Sequence, residues 1–557
     1  MSSHELPALE STADAVRNVS VALGANDFRG AAAIADAAIA RGFVDMALYN
    51  ARALWFERQG LNEQALEEFQ RARALAPRSY ALLNAIGLCL TRLYRLDEAV
   101  DAFDEAIRIH PAYSRSHQRR GVALGMAGRH KASADAFRRA VSLDPGNVAA
   151  LASVASVAAR DGDLETARRF ADRALAIDSG NPTAHAALAL TDISRGQFAA
   201  ARSRLEPLLA NVSLVGHGRA VVLGLLGDAL DGENRFSEAF GAYESANQEL
   251  RNLHAPRFQG KITMGGMLEQ LTALLGESPP SLWEHHDEGD PAPHARQHVF
   301  LLGFYRSGTT LLEQVLESHP DVTTLEERDF LAEAADRYLT TAEGFERLSQ
   351  IENAELERAR LEYWARVRQH GIAFEEKVFV DKHPMNTAKL PLIRKLFPAA
   401  RIVFAIRDPR DVVLSCFRRH FEINAVMHEF LTLEGTAKLY DRVMTFAETC
   451  REKMPFEIFD HRYEDLVSDF ERQVRSVCGF LGLDFRESMA DFAETARGLD
   501  IRSPSLRQVR RGLYKEGSGQ WRPYAAELAP VLPVLAPWVT RFGYAGSGIA
   551  PTLPSSP

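Results

Sequence analysis

The sequence predicts an all-α repeat solenoid followed by an α/β domain with a parallel sheet. Two patterns predict this combination: small residues recur with a 34-residue period through the first half, and short apolar runs alternate with helical spacing from about residue 298. Strands that alternate with helices indicate a parallel sheet. The 557 residues exceed one small module, and 46% hydrophobic with 25% charged residues is an ordinary globular composition.

Charge and cysteine content exclude several classes of function. The 65 basic and 74 acidic residues give a net charge of -9, which disfavours a role on nucleic acid because such binding needs a basic face. Four cysteines are too few and too scattered for a disulfide framework or a CxxC zinc site. The polar N-terminus lacks a signal-peptide pattern, and no apolar run approaches the length of a membrane span. We therefore expect a cytoplasmic protein.

Several series of residues keep the repeat period in one register. Prolines and aromatic residues recur at Pro77, Pro111 and Pro145 and at Phe69, Phe103 and Phe137. Small residues recur at Ala53, Gly87, Gly121, Ala155 and Ala189, at Ala31, Ala65, Ala99, Ser133, Ala167 and Ala201, and at Ala38, Ala72, Ala106, Ala140 and Ala174. Small residues let two antiparallel helices approach closely, the aromatic is expected to fill the groove of the next pair, and the proline ends the second helix.

This pattern resembles the tetratricopeptide repeat, whose period is 34 residues. The resemblance extends from about residue 12 to 250 and implies about seven repeats, the last displaced by four residues at Ala239 and Ala246. We expect a tetratricopeptide solenoid over 1–255, whose surface recruits an acceptor or a protein partner. Residues 256–295, dense in proline, charge and histidine, are expected to be a linker, and 546–557 a disordered tail.

Four short apolar runs in the second half predict strands. They are His298–Leu302, Val378–Val380, Arg401–Ile406 and Phe456–Phe459. Helical spacing follows the first run, and another helix is expected from about Asp408. Residues 326–371 are expected to be mostly helical. This order predicts the parallel α/β domain.

The most informative motif is the loop Leu301–Thr310, which follows a strand and opens a helix. Such a loop surrounds an anion with backbone N–H groups and a helix N-terminus. The spacing of Gly303 and Gly308 matches that of the phosphate loop in enzymes that bind nucleoside triphosphates. However, Thr309 lies where that loop has its lysine. The missing lysine argues against ATP or GTP, and Arg306 lies inside the loop instead.

This segment resembles the 5′-phosphosulfate loop of sulfotransferases, above all the tyrosylprotein type and its bacterial relatives, which carry Arg-Ser-Gly-Thr-Thr. The resemblance implies a P-loop-like sulfotransferase domain over 296–545. It also implies that the loop binds the donor through Arg306, Ser307, Gly308, Thr309 and Thr310.

A second cluster begins where the strand Arg401–Ile406 ends. Arg407 leaves the carboxyl end of that strand, where ligands of open α/β sheets bind. Ser415 lies eight residues later, and Arg419 follows at i+4, on the same helical face. Two arginines and a hydroxyl that converge suit a second phosphate. In the resembled family, matching residues hold a 3′-phosphate, and a tyrosine that matches Tyr463 lies near the adenine.

The two motifs together imply 3′-phosphoadenosine 5′-phosphosulfate as the sulfuryl donor, because this nucleotide carries both groups. Sulfuryl transfer resembles phosphoryl transfer, in which catalysis is mainly positioning and cationic stabilisation, with a base for the acceptor hydroxyl. This scheme requires no metal, and none is expected.

The resemblance also assigns catalytic roles. Arg306 lies in the loop, Lys382 matches a lysine that stabilises the transition state, and Ser505 matches a serine near the transferring group. Glu327 aligns with the catalytic base of the tyrosylprotein enzymes and is the favoured base. His383 corresponds to the base of the cytosolic enzymes and is its rival, since an imidazole is a natural base at neutral pH.

Two family positions are not preserved. Arg328-Asp329 stands where the family has Thr-Arg, so the substrate-binding arginine is missing from its place. Gln520 replaces a basic residue in the loop that closes over the donor, where Arg511 or Lys515 could compensate.

Two other functions stay open. A P-loop kinase or NTPase is disfavoured by the missing lysine, and a repeat scaffold with an inactive domain by the presence of the whole set of site residues. The acceptor stays open among a peptide tyrosine, a glycan, a lipid and a small metabolite.

Overall fold

The computed structural model describes residues 10–284, 295–419, 421, 423–493 and 517–545. The chain divides into two compact units, Met1–Leu208 and Leu209–Pro557. Where it is described, the first unit is helical, and the second combines helices with one parallel sheet. The expected fold class, a helical solenoid followed by an α/β domain, is confirmed.

Consecutive helices build the first unit. They are α1 (Thr12–Gly24), α2 (Phe28–Ala40), α3 (Met46–Arg58), α4 (Asn62–Leu75), α5 (Tyr80–Arg92), α6 (Leu96–Ile109), α7 (Ser114–Met126), α8 (His130–Leu143), α9 (Val148–Asp161), α10 (Leu164–Ile177), α11 (Pro182–Ser194) and α12 (Phe198–Leu209). Short polar side chains cap several of them. Asp27 accepts a hydrogen bond from the Gly30 amide at 2.8 Å, and Asn147 accepts one from Ala150 at 3.0 Å. These caps satisfy amides that a helix start leaves unpaired.

The glycines and aromatics of the repeat pattern contact each other. A Cβ atom on Gly87 of α5 would lie 2.7 Å from the ring of Phe103 on α6. One on Gly121 of α7 would lie 2.6 Å from the ring of Phe137 on α8. Phe103 and Phe137 therefore pack inside their own helix pairs, and Phe137 also lies in a buried cluster with Val154 and Val157 of α9, in the next pair.

The same packing recurs beyond Leu208. Helices α13 (Gly216–Gly232) and α14 (Phe236–Phe258) form a hairpin in which a Cβ on Gly227 would lie 2.5 Å from the ring of Tyr243. This hairpin belongs to the second compact unit, although its sequence continues the repeat pattern. The first unit therefore ends before residue 255, the expected end of the solenoid.

A helix lies within residues 256–295, where a linker was expected. This helix, α15 (Met264–Glu277), begins at the cap Thr263, whose hydroxyl accepts a hydrogen bond from the Gly266 amide at 3.0 Å. At its other end, Lys453 Nζ donates to the Gly276 carbonyl at 2.8 Å. The prolines and charges that suggested a linker follow α15, so this part of the prediction is corrected.

The second unit contains a parallel sheet. Its strands are β1 (Gln297–Gly303), β2 (Val322–Glu326), β3 (Val378–Lys382), β4 (Arg401–Ile406) and β5 (Glu457–Arg462). Their spatial order is β2-β3-β1-β4-β5. The four predicted strands are confirmed. The edge strand β2 was missed because two threonines interrupt its short apolar pattern, VTTLE.

Strand register brings the candidate residues to one edge of the sheet. Leu301 of β1 pairs with Lys382 of β3, which also pairs with Glu326 of β2. On the other side, Gly303 of β1 pairs with Ala405 of β4. The loops that leave β1, β2, β3 and β4 therefore start next to one another, as the carboxyl ends of parallel strands do.

Further helices of the second unit lie between and after the strands in the sequence. They are α16 (Thr309–Glu317), α17 (Ala332–Tyr338), α18 (Ala342–Ser349), α19 (Asn353–Gln369), α20 (Leu390–Leu396), α21 (Pro409–Phe417), α22 (Ala425–Glu429), α23 (Leu433–Lys453), α24 (Tyr463–Ser468), α25 (Phe470–Leu481), α26 (Ala525–Leu528) and α27 (Leu532–Arg541). Val299, Leu312 and Val403 lie in a fully buried core between β1, β4 and α16. Among the residues that the structure describes, no helix is long and apolar enough to cross a membrane.

Candidate functional site

Two glycines shape the tight loop between β1 and α16. Gly303 has a φ of 151° and Gly308 a φ of 92°, values that other residues disfavour. A Cβ on Gly308 would lie 2.6 Å from Cδ2 of Tyr463, and one on Gly303 would lie 2.6 Å from the Ala405 carbonyl oxygen. The loop therefore packs against β4 and the start of α24 with no space for larger residues.

The N-terminus of α16 opens from this loop. Gly308 is its N-cap residue and offers no side chain to the first amides of the helix. Ser307, Thr309 and Thr310 are buried beside it. The first N–H groups of a helix lack internal partners and carry partial positive charge, so this turn can bind an anion.

Arg306 links the loop to α21. Its Nε donates to Ser415 Oγ at 3.0 Å, and Arg407 Nη1 donates to the Arg306 carbonyl at 2.9 Å. Arg306 has a φ of 67°, a strained conformation for a residue with a side chain. Burial, followed by the nearby charges of Arg419 and Arg407, lowers the pKa of Arg306 to about 9. The structure thus brings the guanidinium groups of Arg407 and Arg419 close enough to Arg306 to affect its charge.

Carboxylates of α13 face Arg418 and Arg419. Arg419 Nη1 lies 3.8 Å from Asp228 Oδ2, and Arg418 Nη1 lies 3.8 Å from Asp231 Oδ1. The Tyr243 hydroxyl donates to Asp228 at 2.9 Å and fixes its position. Helix α21 ends at Phe417, so Arg419 lies beyond the helix and not on the expected i+4 helical face.

A C-terminal segment covers this cluster. Arg407 Nη2 donates to the Gly517 carbonyl, and Asp411 accepts hydrogen bonds from the amides of Gly519 at 2.7 Å and Trp521 at 2.8 Å. Gln520, at the position where the family has a basic residue, accepts a hydrogen bond from Arg418. Ser505, Arg511 and Lys515 lie outside the described residues.

Lys382, at the end of β3, lies between two carboxylates. Its Nζ is 2.9 Å from Glu327 Oε1 and 2.9 Å from Glu313 Oε2, and the lysine is fully buried. Glu327 directly follows β2, with a φ of 42°, and its amide donates to the Lys382 carbonyl at 2.8 Å. About a third of the Glu327 side chain is exposed, so the carboxylate contacts both the buried ammonium of Lys382 and solvent.

The comparisons with known proteins match both parts of the chain. A model of the sulfotransferase family matches residues 298–487, and models of the tetratricopeptide repeat match 50–114, 119–182 and 158–212. The chain carries tetratricopeptide repeats and a sulfotransferase domain.

Several known proteins are similar to parts of this chain. An uncharacterised protein of Aquifex aeolicus (strain VF5) is 27% identical over 250 residues, 43% of this chain but 32% of that protein. Protein-tyrosine sulfotransferase 1 of Danio rerio is 24% identical over 268 residues, 44% of this chain and 72% of its own length. A tetratricopeptide repeat protein from Parabacteroides merdae ATCC 43184 is 15% identical, with a TM-score of 0.37, and covers 43% of this chain and 94% of its own.

The two candidate bases of the sulfotransferase domain differ in charge. Burial alone would raise the pKa of Glu327, but Lys382, His383 and Arg306 outweigh it and lower that pKa below its usual value. Burial lowers the pKa of His383 to about 4, and its Nδ1 has no hydrogen-bond partner among the described residues. At neutral pH, Glu327 is therefore an ionised proton acceptor beside a cation, and His383 is a neutral one.

Glu313 is the site residue that sequence reasoning missed. It is fully buried on α16, between Leu312 and Gln314, which are buried as well. Burial raises the pKa of Glu313 to about 8, against the effect of Lys382. Burial also disfavours the charge of Lys382, yet Glu313 and Glu327 raise the pKa of Lys382 above its usual value. The sequence signal that could have identified Glu313 is a glutamate inside an otherwise buried helix, since a buried carboxyl group needs a polar or charged partner.

The structure brings most predicted residues to one edge of the sheet. The loop residues, Arg407, Ser415 and Tyr463 meet around Arg306, while Lys382 and Glu327 pair at the neighbouring strand ends. In the described part of the chain, no group of three or more His, Cys, Asp or Glu side chains is arranged to hold a metal ion.

Proposed function

We propose that this protein transfers a sulfuryl group from 3′-phosphoadenosine 5′-phosphosulfate to an acceptor hydroxyl. The observation that carries the proposal is the direct link between two anion-binding elements: Arg306 of the loop donates to Ser415, and Arg407 donates back to the loop. One element suits a 5′-phosphosulfate and the other a 3′-phosphate, the two charged groups of this donor. The match to the sulfotransferase family supports the same reaction.

The residues present fit this donor. The Nε atoms of Arg407 and Arg419 are buried without a hydrogen-bond partner among the described residues, so they can donate to phosphate oxygens. The loop residues Arg306, Ser307, Gly308, Thr309 and Thr310 would hold the 5′-phosphosulfate, and Arg407, Ser415 and Arg419 would hold the 3′-phosphate. The Tyr463 ring, 5.0 Å from the Arg407 guanidinium, would lie near the adenine.

When bound, the donor supplies an activated sulfuryl group, and the protein supplies charge and a proton acceptor. Lys382 stabilises negative charge that develops on peripheral oxygens, with Arg306 as the second cation. Glu327 is the proposed base: its carboxylate accepts the proton of the acceptor hydroxyl. Ser505, outside the described residues, is proposed to lie near the transferring group.

Glu327 is favoured over His383 because its carboxylate is partly exposed. An acceptor that arrives from solvent can reach Glu327, whereas His383 is more deeply enclosed. The Lys382 contact keeps Glu327 ionised, which makes it available as a base but lowers its basicity. Proton transfer to Glu327 breaks its charge pairing with Lys382, so the ammonium becomes free to stabilise developing negative charge elsewhere.

Nucleotide binding measured by calorimetry tests the donor assignment. We expect adenosine 3′,5′-bisphosphate to bind much more tightly than ATP, because the site has two phosphate clusters and no phosphate-loop lysine. Equal or tighter ATP binding would favour a kinase or NTPase. Arg407→Ala should weaken bisphosphate binding by about 1.5–3 kcal/mol, the value of a hydrogen bond to a charged group. The matched control is Arg401→Ala, since Arg401 pairs with Glu457 at the opposite end of β4.

The acceptor is proposed to be recruited by the repeats. Incubating the full chain with labelled donor and a cell extract, and then identifying the labelled product, reveals the acceptor class. A chain that lacks residues 1–208 keeps the whole second unit and should modify the same acceptor more slowly. Bisphosphate binding without any transfer would instead favour a scaffold with an inactive sulfotransferase domain.

A further inference from the structure

Glu313 neither binds the donor nor accepts a proton in the proposed function. It lies one helical turn after Thr309 on α16, and its side chain has no exposed surface. A buried carboxyl is costly unless a partner compensates it. Neither of its oxygens has a hydrogen-bond partner with good geometry among the described residues, and Lys382 Nζ lies 2.9 Å from its Oε2.

We propose that Glu313 is a positioning residue that holds the Lys382 ammonium at the sulfuryl-transfer site. The inference rests on the proposed function, because it assigns Glu313 a purpose only if Lys382 stabilises the transferring group. Glu313 is part of α16, the helix whose N-terminus forms the anion-binding turn. The contact therefore ties the catalytic lysine to the same rigid element that would hold the donor, and preorganised charge of this kind is what sulfuryl transfer needs.

Lys382 contacts two carboxyl groups, and only one of them changes its charge in the proposed reaction. Glu327 Oε1 is the other contact of Nζ, and in the proposed reaction this carboxylate becomes neutral when it accepts a proton. Lys382 then loses its charged partner on that side. Glu313 accepts no proton from the acceptor, so its contact with Nζ persists and keeps the ammonium beside the turn.

The charge of Glu313 makes this arrangement sensitive to pH. The charged groups that face Glu313 are Lys382, Glu326 and Glu327, and those that face Glu327 also include His383 and Arg306. With a pKa of about 8, Glu313 is neutral at pH 7 and contacts Lys382 as an uncharged acceptor. Above pH 8 it ionises, and its charge competes with sulfuryl oxygens for the ammonium, so turnover should fall.

Two substitutions separate positioning from packing. Glu313→Gln keeps an uncharged oxygen next to Lys382, and Glu313→Leu keeps the volume but removes the acceptor. At pH 7 we expect Glu313→Gln to retain kcat within about threefold, and Glu313→Leu to lose about 10–100-fold, because the Lys382 ammonium loses a buried oxygen contact at 2.9 Å. Glu317→Gln and Glu317→Leu are the controls, since Glu317 lies on the same helix but contacts Thr324.

Turnover is measured as transfer of the labelled sulfuryl group from the donor to the acceptor identified in the cell extract, and affinity by calorimetry with adenosine 3′,5′-bisphosphate. Bisphosphate affinity should stay within about threefold in all four variants, because Glu313 contacts the lysine and not a phosphate. Wild type and both Glu317 variants should lose kcat above pH 8, whereas Glu313→Gln should not. If Glu313→Leu does not fold, this pH profile decides the question alone.

The results distinguish the donor assignment from the role of Glu313. Failure of the wild type to bind adenosine 3′,5′-bisphosphate overturns the proposed donor and, with it, this role of Glu313. Normal bisphosphate binding, with Glu313→Leu as active as wild type or with the decline above pH 8 unchanged in Glu313→Gln, overturns the role of Glu313 and leaves the donor assignment intact.

Discussion

The hairpins α5–α6 and α13–α14 have the same interior but different surroundings. In the first, Gly87 meets Phe103, and in the second, Gly227 meets Tyr243, at closely similar distances. The α5–α6 hairpin lies in the first compact unit and packs with other repeats. The α13–α14 hairpin lies in the second unit, where its side chains contact the sulfotransferase domain.

Those contacts are specific. Asn247 Nδ2 of α14 donates to the Phe417 carbonyl at 2.8 Å, where α21 ends, and the Phe240 ring stacks on the Phe417 ring at 5.1 Å. Tyr243 differs from Phe103 by one hydroxyl, and that hydroxyl binds Asp228, the carboxylate next to Arg419. The repeat pattern thus determines how two helices pack, while the residues outside the pattern decide which unit the hairpin joins.

We expect the position of an N-terminal truncation to affect nucleotide binding more than any other change. Deleting residues 1–208 should leave affinity for adenosine 3′,5′-bisphosphate within about threefold, because a compact unit can fold by itself. Deleting 1–255, the boundary that the repeat pattern suggested, should abolish binding, since it uncovers Phe417 and removes the partners of Arg418 and Arg419. Calorimetry and thermal unfolding of both truncations measure this. Equal binding by the two would show that the α13–α14 hairpin is not part of the site.

Glu327→Gln tests whether the chemistry belongs to the second unit. This change keeps the shape but removes the proton acceptor, so turnover should fall roughly 10²–10⁴-fold at saturating substrates, the usual contribution of a general base. Bisphosphate affinity should barely change. The loss should be the same in the full chain and in the chain without residues 1–208.

His383→Asn is the companion variant and should be milder, because it would act mainly by displacing Lys382. Near-normal turnover of Glu327→Gln together with an inactive His383→Asn would contradict the assignment and make His383 the base.

Paired glycine substitutions compare the two hairpins directly. Gly87→Ala and Gly227→Ala each place a methyl group against an aromatic ring and should destabilise the protein by about 1–3 kcal/mol through overpacking. Only Gly227→Ala should also weaken bisphosphate binding, by about 2–5-fold, because displacing Tyr243 moves Asp228 and Arg419. Chemical denaturation and calorimetry supply the two readouts. Equal affinity losses in both variants would contradict the functional difference between the hairpins.

The smallest expected effect is the pH dependence of stability. Since the folded-state pKa of Glu313 is raised to about 8, the folded protein holds a proton that the unfolded chain releases at lower pH. This contribution to stability is present below the ordinary pKa of a glutamate and is lost as pH rises to 8. Relative to Glu313→Gln, wild type should therefore lose a few degrees of Tm between about pH 5 and pH 8. A constant Tm difference over this range would mean that the Glu313 pKa is not raised.

The repeat hairpins and the phosphate-type loop could be predicted from the amino-acid sequence. Gly87 and Phe103 are separated by a fixed number of residues in one hairpin, and Gly303 and Gly308 lie in one turn, so local spacing carries the information. The strands that contain Leu301 and Phe404 could also be predicted from the sequence, because central strands of a parallel sheet are continuous apolar runs.

Contacts between residues of distant segments could not be predicted without the three-dimensional fold. Lys382 and Glu313 are far apart in the sequence, and their 2.9 Å contact depends on strand register and on the placement of α16. The same holds for Asp228 and Arg419, which are on separate elements of the second unit. A buried charge needs a partner, but the sequence does not say where that partner comes from, because strand order and helix packing are set by the whole core.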